Sequence, residues 1–213
     1  MLNTVIIIIS VFFSVAFFLE PDNPVKRARN AFNNLENYKV TIKTECCSSD
    51  EYIEYTFRKP GFIRMDFITP HEGAVLVYNP ETQKVRLKPF GLFSFLKLTL
   101  DPDNSLILSP KGHRVDQSDF SFLLKNVDSL LSQGELQSLN DAVINGRSCD
   151  VVKISGLDGH HVDDIYMYKI WFDKTLFLPL KVEAYDSSGV LTESVLSDNV
   201  QVNIDLDKDL FNL

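Results

Sequence analysis

"EYIEYTFRKPGFIRMDFITPHEGAVLVYNPETQKVRLK" (residues 51–88) decides the fold class. Its apolar residues recur at every second position. Ile53, Tyr55 and Phe57 alternate with Glu54, Thr56 and Arg58, and Ile63, Met65 and Phe67 alternate with Arg64 and Asp66. A period of two marks a half-buried β-strand, because successive side chains point to opposite faces of the sheet. Pro60-Gly61 supplies a turn, and "NPETQ" has the chemistry of a hairpin loop between "GAVLVY" and "KVRLK". With "YKVTIKT" upstream, five short strands joined by tight turns imply an antiparallel meander with one dry and one wet face.

Working outward, the period changes to that of a helix on both sides. Upstream, Asn23 is placed to cap a helix and Pro24 to occupy its first turn, while Val25, Ala28, Phe32 and Leu35 share one face. Downstream, a second helix starts near Ser118 or Asp119, with Phe120, Leu123, Leu124, Val127 and Leu131 as an apolar stripe and Gly134 expected as its stop. Strands then resume: "LQSLNDAVI", "CDVVKIS" after the Asn145-Gly146 hairpin signal, "DIYMYKIWFD", "LPLKVEAYD" and "LTESVLSDNVQVNIDL", with Gly189 in the left-handed position of "DSSG". The reading is mainly β with α: a strongly curved antiparallel sheet of ten or eleven strands, with two or three helices packed on its concave side.

Composition sets the class of partner. The 213 residues are 45% hydrophobic and 23% charged, enough to build a packed core, and the net charge is -8. An acidic chain without a basic run excludes nucleic-acid binding, which depends on lysines and arginines neutralising phosphates. Residues 5–13 form an apolar run of signal-peptide length, and Ser14 and Ala16 are small residues suited to cleavage after Ala16. No Lys or Arg precedes the run. Read instead as a membrane anchor, residues 5–19 fall short of the ~20 residues of a span. The expected division is a signal or anchor at 1–19 and one domain at 20–213, exported to the periplasm and, if the segment stays, tethered to the inner membrane. Three cysteines, Cys46, Cys47 and Cys149, leave an odd thiol in an oxidising compartment, so Cys149 pairs with one of the adjacent two or all three stay reduced.

Catalytic constellations are weak. "GHHVDDIY" gathers His160, His161, Asp163 and Asp164, but between two strands and beside Gly159 it reads as a solvated hairpin loop. His113 lies near Asp116 without a nucleophile at recognisable spacing, and His71 sits in a turn. No G-x-S-x-G, H-E-x-x-H or phosphate-cradling glycine loop occurs. The expectation is no catalytic residue, no metal and no cofactor.

The order of these motifs resembles the LolA-like family: periplasmic lipoprotein carriers, outer-membrane receptors and related lipid-binding and sensor domains. "VLVYNPETQKVRL" is similar to the strand, Y-x-P turn and strand of the carriers. "YKIWFDKTLFLPLKVEAYDSSGVLTESVLSDNVQVNIDLDKDLF" is similar to their closing portion. The resemblance implies a half-open β-barrel closed by helices. Its cavity would hold acyl chains of a lipid or lipoprotein without covalent chemistry, supplied and received by membrane-bound donor and acceptor proteins. The alternative is a sensor or scaffold of the same fold that binds a protein. The carriers use a cavity arginine for release; Arg58 and Arg64 match only by rough location and are not carried over.

One stretch stands apart, "PFGLFSFLKLTLDP" (residues 89–102). Leu92, Phe93, Leu96 and Leu100 fit a short helix, and the same run also fits an alternating strand. The resemblance implies a cover over a cavity at this position. The expected lipid-binding set is therefore Phe57, Met65, Phe67, Phe120 and Leu124 on the cavity wall, with Phe93, Phe95 and Leu96 at its mouth.

Overall fold

The computed structural model describes residues 23–45 and 50–213. The expected signal segment, and the pairing of Cys149 with Cys46 or Cys47, fall outside the described residues. Helix α1 (Pro24–Asn34) leads into β1 (Asn37–Glu45), β2 (Glu51–Arg58), β3 (Phe62–Thr69), β4 (Val75–Asn79) and β5 (Lys84–Lys88). After a 3-10 turn (Gly91–Phe93) come β6 (Leu98–Leu100), a second 3-10 turn (Val115–Gln117) and α2 (Phe120–Leu131). The chain closes with β7 (Gly134–Ser138), β8 (Ala142–Ile144), β9 (Arg147–Gly156), β10 (Met167–Asp173), β11 (Pro179–Tyr185) and β12 (Leu191–Val202).

The strands form one curved, open antiparallel sheet in the order β6-β5-β4-β3-β2-β1-β12-β11-β10-β9-β7, with β8 also on β9. Two meanders are thus sewn together where the first strand meets the last: Tyr38 pairs with Val202 and Ile42 with Ser197. Among the described residues the strands number twelve, against the expected ten or eleven or so. The expected single strand "LQSLNDAVI" is two short ones that follow each other along β9, with Leu136 opposite Ile154 and Ala142 opposite Cys149. The strand expected from Asp164 begins at Met167, because Asp163 and Asp164 take left-handed φ values of 50° and 62°.

Helix α1 buries the face that the spacing defined, whereas α2 buries Leu130, outside the expected stripe, and leaves Phe120, Leu123 and Leu131 half-buried against the core. The Asn23 side chain accepts from the Lys26 N–H at 2.8 Å, and Val25, Ala28 and Phe32 are buried. Asp119 caps α2 by accepting from the N–H groups of Ser121 and Phe122, and Leu124, Val127 and Leu130 turn inward. The helix ends at Leu131 with Ser132 as its C-cap, two residues short of Gly134, which was expected as its stop. Gly134 opens β7, where an added Cβ would lie 2.4 Å from the Leu130 carbonyl oxygen and 2.5 Å from that of Ser155. The glycine is there so that α2 and β9 can approach each other. Asn145 and Gly146, with φ of 47° and 79°, form the expected two-residue hairpin.

The main core lies on the concave side. Tyr55, Phe57, Ile63, Leu76 and Val85 from the first meander meet Val152, Ile154, Ile170 and Phe172 from the second, with the helices above them. Met65, Phe67, Phe120 and Leu123 pack at its margin. Arg64 and Asp66 point to the other face, as the alternation requires. That convex face is only partly wet. The C-terminal tail folds back over it, and Phe211, Leu206, Leu210 and Leu213 cover Phe62, Val75 and Val77. A second convex cluster joins Cys149, Val151, Trp171 and Leu180.

Candidate functional site

The concave interior is the first place to look for a ligand, and it is filled. Tyr38 stacks on Tyr55, Phe57 and Phe120, with ring centroids 5.8, 5.1 and 4.6 Å apart, and Phe32 closes on Phe57 at 5.5 Å. The Tyr38 hydroxyl accepts from the Phe120 N–H at 3.4 Å, and the Tyr55 hydroxyl lies 3.2 Å from Ser118 Oγ. Burial pushes the Tyr38 and Tyr55 phenols well above their ordinary range, aided by the nearby Asp119 charge, so both are neutral members of the core. Of the expected wall residues, Phe57 and Leu124 are buried, while Met65, Phe67 and Phe120 are half-buried against the same core. A pocket of about 130 Å³ dips beneath the C-terminal end of α1, between Ala31, Leu35, Leu178 and Val202.

The three expected mouth residues lie on an exposed turn. Residues 89–97 form a tight turn at the edge of the sheet, with the Ser94 N–H on the Gly91 carbonyl (3.1 Å) and the Leu96 N–H on the Phe93 carbonyl (2.9 Å). Phe93 is 62% exposed, Phe95 77% and Leu96 37%, and Leu92 beside them is 91% exposed. Phe90 stacks on His71 at 4.9 Å. Of the helix and the strand that the sequence left open, the run holds a short piece of each: one 3-10 turn at Gly91–Phe93 and a pairing of residues 98–100, with Leu100 opposite Val85. In this structure Leu92, Phe93 and Phe95 do not close on the interior. The structure brings Phe57, Met65, Phe67, Phe120 and Leu124 together and leaves Phe93, Phe95 and Leu96 outside.

The arginines weighed for release lie on the convex side. Arg64 forms a two-point pair with Asp66 at 2.7 and 2.6 Å and donates to the Leu210 carbonyl at 2.7 Å. Arg58 lies over the rings of Phe62 and Phe211, at 4.5 and 4.6 Å. Both pin the tail. His160 and His161 sit in a loop, one 2.8 Å from the Ser129 carbonyl and the other stacked on Tyr166 at 4.7 Å. His113 faces Glu193 at 3.8 Å rather than Asp116, which pairs with Arg114 at 2.7 Å.

Sequence reading did not single out a cleft of about 490 Å³ on the convex side, between the β7–β8 segment and β10. Its floor is Trp171 and Val151, and its rim carries Lys169, Gln137, Ser138 and Asn140. The ammonium groups of Lys169 and Lys181 lie 4.6 and 5.0 Å from the centre of the Trp171 ring. Glu183 accepts from Lys181 at 2.7 Å and from the Tyr185 hydroxyl at 2.5 Å. Its burial is outweighed by these donors, which hold the carboxyl below its ordinary value. The available signal was the alternation in "MYKIWFD", which puts Lys169 and Trp171 on the face opposite Tyr168, Ile170 and Phe172.

A curved open sheet with two helices packed on its concave side defines a LolA-like fold. The family model described as the MucB/RseB N-terminal domain matches residues 98–212, or 115 of the 213 residues, and the chain belongs to that family. Among solved structures, it is similar to MucB in the MucA/MucB complex of Pseudomonas aeruginosa. There the identity is 16% and the TM-score 0.56, over 89% of this chain and 59% of that one. An uncharacterized conserved protein from Thermus thermophilus is 10% identical with a TM-score of 0.55, over 89% of this chain and 91% of that one. Lipoprotein LppX of Mycobacterium tuberculosis is 12% identical with a TM-score of 0.51, over 86% and 95%. At these identities the likeness is one of fold. The chain spans about three-fifths of the MucB chains that it matches. No curated protein sequence matches it.

Proposed function

We propose that the chain is a non-catalytic binding module of the bacterial cell envelope, exported to the periplasm, which holds a protein partner in a sensing or scaffolding role. The filled interior carries this reading. With Tyr38, Tyr55, Phe57 and Phe120 stacked where a ligand would lie, the opening beneath α1 is about 130 Å³, below the roughly 300–1,000 Å³ of small-molecule sites. Family membership supports it, since MucB is described in complex with MucA. The convex cleft is the surface we assign to the partner: a tryptophan floor with a lysine and amide rim is the composition of an interface centre facing polar, acidic chain.

A second reading, an acyl-chain carrier between membrane-bound donor and acceptor proteins, is favoured by the wholly apolar and aromatic make-up of the concave interior. For it, α1 and α2 would part from the sheet, so that Phe57, Met65, Phe67, Phe120 and Leu124 line the opened space and Phe93, Phe95 and Leu96 its mouth. Native mass spectrometry of the protein purified from its own envelope separates the two readings. A lipid-free mass that travels with a second protein, and loses it in Lys169→Glu, is the expected result. A co-purifying acylated mass overturns the first reading in favour of the second.

A further inference from the structure

The two most exposed large apolar side chains of the described residues, Leu92 and Phe95, stand together with further exposed apolar side chains at one point. Leu92 at 91%, Phe95 at 77%, Phe93 at 62% and Phe90 at 49% exposure stand on the single turn between β5 and β6. Its base is anchored: Leu87 and Leu100 pack on the main core, and their strands are paired. A rigid base with a greasy tip is costly to leave in water, and an apolar patch of this kind marks a contact surface.

Charge identifies the surface. Residues 82–100 contain Lys84, Arg86, Lys88 and Lys97 and no Asp or Glu, in a chain whose net charge is -8. Lys84 is paired with Asp101 and Arg86 reaches the Leu213 carbonyl, while Lys88 and Lys97 bracket the turn with no ion pair among the described residues. Glu72, next to the His71 on which Phe90 rests, is an acid on the neighbouring β3–β4 turn. The side chains of the tip protrude from a one-turn helix, with two ammonium groups on flexible stems behind them. Apolar side chains below and lysines at headgroup level are what an anionic bilayer surface takes up.

We propose that residues 90–96 are a membrane-docking tip, in which Leu92, Phe93 and Phe95 enter the interfacial layer of an anionic bilayer and Lys88 and Lys97 meet its headgroups. The rest of this acidic chain is repelled by the same surface, so docking is orientated through this one corner.

The test uses the full chain with vesicles of phosphatidylcholine alone or with 30% phosphatidylglycerol. The chain sediments with the anionic vesicles, and Leu92→Ser/Phe93→Ser/Phe95→Ser weakens partitioning at least about thirtyfold, from the apolar area withheld. Because those side chains are exposed, the melting temperature stays the same. Phe95→Trp supplies the second measurement. Bromine-labelled phosphatidylglycerol quenches its added fluorescence, while Trp171 in the wild type, buried on the convex face, is not quenched. Absence of that quenching overturns the proposal even if the apolar N-terminal residues hold the chain on vesicles. Equal partitioning of the triple variant overturns it too. A concentration-dependent shift of the Phe95→Trp emission without lipid assigns the tip to a second copy of the chain instead. Fatty-acid binding in vesicle-free solution tests the carrier reading separately, so the two fail independently.

Discussion

Arg147 and Asp173 fasten the second meander, and removing the arginine exposes what that contact contributes. Asp173 closes β10 and is 2% exposed, and its Oδ2 accepts from Arg147 Nε at 2.7 Å across the β9–β10 pair. Its Oδ1 accepts from the N–H groups of Thr175 and Leu176 at 2.8 and 2.5 Å, which sets the turn into β11. Breaking a buried ion pair from one side costs about 3–5 kcal/mol, because a charge is left without its partner. Here the arginine end is 33% exposed and the carboxylate keeps two N–H donors, so Arg147→Met is expected to cost about 2–3 kcal/mol. For a chain of this size that lowers the melting temperature by roughly 5–10 °C.

The pH dependence gives an independent check. Burial alone would raise the Asp173 carboxyl, but Arg147 and the two backbone N–H groups outweigh it and hold it below the ordinary value. A carboxylate depressed in this way contributes stability that is complete above its unfolded value of about 4 and is lost as pH falls through the lower folded value. In Arg147→Met burial is less opposed, the carboxyl moves up, and acid destabilisation begins at higher pH. Urea melts of both proteins between pH 2.5 and 7 read this directly. A loss under about 0.5 kcal/mol at pH 7, or acid transitions that coincide, would refute the reasoning.

Two further outcomes follow from the packing. Gly134→Ala forces a Cβ between the Leu130 and Ser155 carbonyl oxygens and is expected to cost about 2 kcal/mol or more in a urea melt, whereas an unchanged midpoint would mean that α2 and β9 are not so close. In alkaline titration followed by phenolate absorbance, Tyr168, raised to about 12 by burial, stays protonated at pH 11 along with Tyr38 and Tyr55, which burial raises further. Their raised values contribute stability that is present below pH ~10 and lost as pH rises, so all three ionise with unfolding; more than four phenolates at pH 11 in the native chain, out of its seven tyrosines, would contradict the filled interior.

What the sequence determined is what depends on neighbours along the chain. Period-two runs defined the strands and which of their side chains face inward, so Tyr55, Phe57 and Ile63 are in the core and Arg64 and Asp66 are not. Local capping chemistry placed α1 and α2, from Asn23 and Asp119. Decisions involving distant residues were left to the tertiary structure. The β1–β12 seam, the tail laid over Val75 and Val77, and the close approach that requires Gly134 each join segments whose pairing leaves no periodic trace. The candidate surfaces divide in the same way. Lys169 and Trp171 could be assigned to a face by alternation, but the cleft above them exists only because the β7–β8 segment folds over that face. For residues 89–97, composition announced an apolar run and could not say whether it was buried. Burial depends on what lies opposite in space, and at this edge of the sheet nothing among the described residues covers Leu92, Phe93 and Phe95.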